Sequence, residues 1–103
     1  MLEEEWSQRA ELDIQSIVIF LAVECKNLQA ARKAEEKILA AIDMLKEFPD
    51  MGGTLKDDSL KRSYRTMLVH PYVIYYTYDE KTLIIRRVLH QRQALDTYAL
   101  VDF

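Results

Sequence analysis

At 103 residues and 12.1 kDa the chain has room for one domain over residues 1–103, enough to bury roughly 60–70% of its unfolded surface and fold without staples. Half the residues are apolar and 30% are charged, which excludes a disordered chain. The single cysteine, Cys25, excludes an internal disulfide, a thiolate zinc site and a Cys-x-x-Cys redox pair, so a cytoplasmic protein without metal or cofactor is expected.

The net charge of −3 is unevenly spread: residues 1–58 hold 7 Lys and Arg against 13 Asp and Glu, whereas residues 59–103 hold 7 against 4. The whole is not drawn to nucleic acid by its field, but a basic face on the second half can meet phosphates or an acidic protein. The acidic start, Met1 to Trp6, is unlike a secretory signal, and no run reaches the ~18 apolar residues of a membrane span, so no membrane association is expected.

A short edge strand ending at Trp6 is expected to lead into a helix capped by Ser7, with Ala10, Ile14, Ile17, Val18 and Leu21 on one face and an end near Glu24. Glu11 and Asp13 fall in its first turns, where the helix dipole favours anions. Asn27 caps a second helix of about twenty residues, carrying Ala31, Ala34, Ile38, Ala41, Ile42 and Leu45 at helical spacing until Phe48-Pro49 stops it. Its polar face reads as solvated, Glu47 included. The glycines of Asp50-Met51-Gly52-Gly53-Thr54 predict a loop running on to Ser59. Strand patterning follows over 61–69, with a turn at His70-Pro71. From Tyr72 to Gln93, two apolar, tyrosine-rich runs flank Asp79-Glu80-Lys81-Thr82, the signature of a hairpin. A short C-terminal helix over Gln93 to Phe103 completes an α+β chain: an N-terminal antiparallel helix pair packed on a small antiparallel meander.

The second strand of the hairpin sets down Arg86, Arg87, His90, Arg92 and Gln93 within eight residues, a cationic patch that marks the candidate site. By strand alternation Arg86 and Arg87 point to opposite faces, so one lines a surface while the other pairs with a solvent carboxylate. His90 reads equally well as a strand-end structural histidine, and the tyrosines of Tyr72-Val73-Ile74-Tyr75-Tyr76 as sheet packing.

The helix pair, Phe48-Pro49 with its glycine loop, Tyr64-Arg65, the Tyr72 strand and Arg87-Val88-Leu89-His90 with Arg92-Gln93 together resemble the RelE/ParE superfamily of toxins from bacterial type II toxin–antitoxin modules, and within it the ParE-like branch. The resemblance implies a cognate antitoxin, in a homodimer or a heterotetramer with it, and one of two activities: poisoning of DNA gyrase, or cleavage of messenger RNA on the ribosome. A third outcome is an inert homologue acting only in antitoxin complex formation and operator regulation. For metal-free RNA cleavage the candidates are His90 for proton exchange, Arg65 and Arg92 for phosphate, and Tyr98 for proton donation or stacking. Arg92 and Tyr98 reproduce the six-residue spacing of the RelE-like pattern. The acidic net charge, and Leu68, Val69 and His70 where that pattern carries a further Arg, favour the gyrase reading.

Overall fold

In the computed structural model, residues 1–55 and 63–93 are described. They form β1 (Glu3–Trp6), α1 (Gln8–Ile19) extended by a π-helical turn (Phe20–Glu24), α2 (Leu28–Glu47), a 3-10 turn (Pro49–Met51), β2 (Gly53–Leu55), β3 (Tyr64–Val69), β4 (Tyr72–Tyr78) and β5 (Thr82–His90). The α+β architecture and the helix pair against an antiparallel sheet follow the sequence reading. The expected C-terminal helix, and residues 56–62 of the expected loop and strand, lie outside the described residues.

The sheet is larger than a three-strand meander: its order is β1-β5-β4-β3-β2. β1 lies parallel to β5, Glu3 opposite Thr82 and Trp6 opposite Ile85; the helix pair and β2–β4 lie between them in the chain, a connection long enough for a parallel neighbour. The glycine loop is also part strand. Gly53–Leu55 pairs antiparallel with Thr66–Tyr64 as a short edge.

Each helix starts where its cap was read. Asn27 Oδ1 accepts from the Ala30 N–H at 3.0 Å and Ser7 Oγ from the Ala10 N–H at 3.0 Å. Ser7 does more than cap: its hydroxyl donates to the Arg86 carbonyl at 2.8 Å, and its N–H donates to the Ile85 carbonyl at 2.9 Å. It thus joins the start of α1 to the edge of β5 at the point where β1 stops. Ser7→Ala removes both side-chain bonds, and a loss of about 1–2 kcal/mol is expected, read as a fall in Tm of about 5 °C or more in a thermal melt.

The helices cover one face of the sheet. Ala10, Ile38, Ile42 and Leu45 meet Ile74, Tyr76, Leu83, Ile85 and Val88 in a sealed core, with Trp6, Ile14 and Ile17 at its margin. Burial of each large aliphatic side chain contributes about 1.5–3 kcal/mol. Tyr64, Tyr75 and Leu89 form a second buried cluster on the opposite face. A bulge interrupts the central ladder: Tyr75 stands opposite Arg87 but Tyr76 opposite Ile85, which leaves Arg86 as the extra residue of β5. The bulge resets the alternation, so that Ile85 and Val88, three apart, both join the helix-side core.

Candidate functional site

β1 ends opposite Ile85, so the rest of β5 has an open edge, and α1 runs along it. Asp13 fills that edge. Its carboxylate accepts from Arg87 Nε at 2.7 Å and Arg87 Nη2 at 2.9 Å, and Oδ2 also takes the Val88 backbone N–H at 3.0 Å. The Asp13 and Arg87 side chains are only 14% and 10% exposed. The pair is therefore a bidentate ion pair set into the fold: the bulge leaves Arg87 opposite Tyr75, and its guanidinium meets Asp13 at the open edge of β5. Arg86 donates from Nε to Thr77 Oγ1 at 2.9 Å. Two of the four cationic residues expected in the patch thus have internal bonds.

The remaining two stand at the strand end. The His90 N–H donates to Gln93 Oε1 at 3.2 Å, and the Arg92 N–H donates to His90 Nδ1 at 3.2 Å. With Nδ1 accepting, a neutral His90 ring carries its proton on Nε2 and presents a donor, not a lone pair. The ring stands edge-on to Tyr72 at 6.0 Å between centroids. Burial pushes the Tyr72 hydroxyl above its ordinary pKa, with nearby Cys25 adding to the shift, so Tyr72 is neutral at physiological pH.

Beside this strand end opens a groove of about 720 Å³. Ile17, Phe20 and Leu21 form its helix wall, Pro71 and Tyr72 its turn wall, and His90, Arg92 and Gln93 its polar rim. The π turn shapes the helix wall: the Cys25 N–H reaches back to the Phe20 carbonyl at 3.0 Å, and Phe20 is left 55% exposed.

Arg65 does not reach this groove. It pairs with Tyr76, whereas His90 pairs with Tyr72, so four residues and two strand spacings put it roughly 15 Å or more away. Its guanidinium donates to the carbonyls of Gly52 at 2.9 Å and Asp50 at 3.2 Å and lies over the Tyr78 ring at 5.8 Å. The Tyr78 hydroxyl bonds Asp50, which raises the Tyr78 pKa. Arg65 is thus a clamp on the 3-10 turn. Tyr98 lies outside the described residues. The groove residues that the sequence reading passed over are Asp13, Phe20 and Pro71, and the available signal was Phe20, a large apolar residue off the buried stripe of α1.

Among the described residues no three His, Cys, Asp or Glu side chains converge as metal ligands, and no helix is long and apolar enough to cross a membrane.

A helix pair, an antiparallel sheet with a parallel first strand, and a cation-rimmed groove at the last strand define the class to which the comparisons assign the chain. The family model described as the ParE toxin of the type II toxin–antitoxin system parDE matches residues 5–95. The chain belongs to that family of type II toxin–antitoxin toxins. Its fold is similar to that of a chain from a structure titled as the chromosomal ParDE system from P. aeruginosa, with a TM-score of 0.70, 20% identity, and coverage of 87% of this chain and 96% of that one. It is also similar to a single-substitution mutant of YafQ from E. coli, with a TM-score of 0.60, 17% identity, and coverage of 93% and 100%. No curated protein matches at a significant level.

Proposed function

We propose that this toxin acts by docking in the ParE manner, as a poison of DNA gyrase, and that a cognate antitoxin silences it by laying an acidic amphipathic segment along the groove beside β5. The observation that carries this reading is the dispersal of the RNA-cleaving set. Cleavage by an RNA 2′-hydroxyl needs a base, an acid and phosphate-binding cations within contact of one phosphate. Here Arg65 clamps a turn at the far end of the sheet and Arg87 is held by Asp13. The His90 lone pair that would take a proton already accepts the Arg92 N–H. What remains at the groove is an apolar trough with a cationic rim, which suits an amphipathic acidic segment better than a reaction.

Purified gyrase and translating ribosomes separate the two activities. The protein is expected to arrest supercoiling and leave ribosome-bound mRNA intact. His90→Gln, which removes the imidazole proton exchange and keeps an N–H donor, is expected to change gyrase inhibition by less than about tenfold, whereas loss of a general acid–base group from a nuclease costs about 10²–10⁴. Cut mRNA, abolished by His90→Gln, would overturn the proposal in favour of the nuclease.

A further inference from the structure

A second exposed apolar surface lies at the other end of α2. Met44, Phe48 and Met51 are 53%, 60% and 43% exposed. They follow at intervals of four and three, and the chain stays wound between them: the Phe48 N–H donates to the Met44 carbonyl at 2.9 Å and the Met51 N–H to the Phe48 carbonyl at 3.0 Å. Met44 and Phe48 therefore share one face of the last turn of α2, and the 3-10 turn that follows Phe48 (φ −129°, ψ 69°) returns the Met51 backbone to the Phe48 carbonyl. Single exposed apolar residues are ordinary, but a methionine and phenylalanine cluster of this kind is adaptable contact surface.

Acidic residues surround it. Asp43 and Asp50, 69% and 79% exposed at their side chains, and Glu47 flank the three apolar residues in sequence. The Leu2 N–H bonds the Lys46 carbonyl at 3.0 Å, which brings the Glu3-Glu4-Glu5 run of β1 to the same helix end. Among the described residues two cations partly offset this rim, Lys46 at 3.3 Å from both Glu4 and Asp43 and Arg65 at 3.8 Å from Asp50, which leaves Glu47, Glu3 and Glu5 to keep it acidic.

Charge decides what this surface takes. A second copy docking through a two-fold axis would set the acidic rim against itself, and an anionic lipid surface would meet the same repulsion. A basic amphipathic helix meets both requirements, its apolar stripe on Phe48 and its cations on the rim. We propose that the Met44–Phe48–Met51 surface docks a basic amphipathic helical segment of a partner protein. Asn27, whose N–H bonds the carbonyl of the groove residue Leu21, lies about 25 Å along the helix from Met44, so groove and patch accept separate partners at once.

The four methionines, Met1, Met44, Met51 and Met67, permit a direct test by methyl-labelled NMR of the full chain. The probe is a synthetic amphipathic helix of leucine and lysine, and its control has glutamate in place of lysine. The Met44 and Met51 methyl signals are expected to move saturably with the lysine peptide, while Met67, packed against the core, stays in place. Phe48→Ser, at an exposed site, is expected to weaken binding about tenfold or more without moving the Met67 signal. Equal shifts with the glutamate peptide, unchanged affinity in Phe48→Ser, or Met44 and Met51 shifts that depend on protein concentration alone, which would make a second copy the occupant, would each overturn the assignment.

Discussion

Asp13→Ala is expected to lower the free energy of unfolding by about 3–5 kcal/mol, a large share of what a small domain holds. Three hydrogen bonds end on that carboxylate, two from Arg87 and one from the Val88 backbone. Removing it takes two charge-assisted bonds from a guanidinium that is 10% exposed and the Asp13 acceptor from the Val88 N–H at the β5 edge. The share of Arg87's desolvation that Asp13 offsets is then lost, which is why losing one partner costs more than the pair is worth. The double variant Asp13→Leu with Arg87→Met, which removes both charges and keeps the volume, is expected to recover most of the loss. Urea unfolding of the three proteins measures this directly. A loss below about 1 kcal/mol in Asp13→Ala would mean that Arg87 finds water easily and belongs to the cationic rim after all.

Arg87 also marks where the sequence stopped being legible. The helix pair was readable because its signals are local: the Ser7 and Asn27 caps, a buried stripe through Ile38, Ile42 and Leu45, and Pro49 as the stop. The Tyr72 hairpin was readable for the same reason, with Asp79 Oδ1 accepting the Lys81 and Thr82 N–H groups at its turn. Those bonds to the free carboxylate hold the Asp79 pKa below its ordinary value. The features that were missed depend on distant partners. The parallel pairing of β1 needs the whole connection to β5, and the strand at Gly53 needs the edge of β3. The bulge at Arg86 has no sequence mark, yet it ends simple alternation along β5, and Arg87 finds its carboxylate in Asp13, 74 residues earlier, across the strand's open edge. Arg87 and Arg92 both line the groove, but Asp13 matches Arg87 and Arg86 bonds Thr77, so the groove is less basic and more apolar than the string suggested.

Gly52→Ala is expected to cost about 2–3 kcal/mol, and the cause is space, not backbone freedom. The Gly52 φ of −76° is open to any residue. A methyl group there would be driven into the Tyr76 hydroxyl and would stand 2.6 Å from the Thr66 carbonyl. Tyr76 cannot retreat: it is fully buried, its hydroxyl donates to the Pro49 carbonyl at 2.7 Å, and it accepts the Gly52 N–H at 3.1 Å. Burial raises the Tyr76 pKa, which keeps it a neutral donor. Tyr76→Phe leaves the Pro49 carbonyl and the Gly52 N–H unmet, with an expected loss of about 1–3 kcal/mol. The two changes act on one contact, so their combined loss is expected to fall short of the sum by about 1 kcal/mol: the missing hydroxyl makes room for the methyl group. Full rescue is not expected, because the Thr66 carbonyl stays where the ladder with Gly53 puts it. Denaturant midpoints at constant m resolve the coupling. Strict additivity would show that the 3-10 turn swings clear of the sheet when Gly52 is replaced, which would also release Arg65 from the Gly52 carbonyl and make it free to bind.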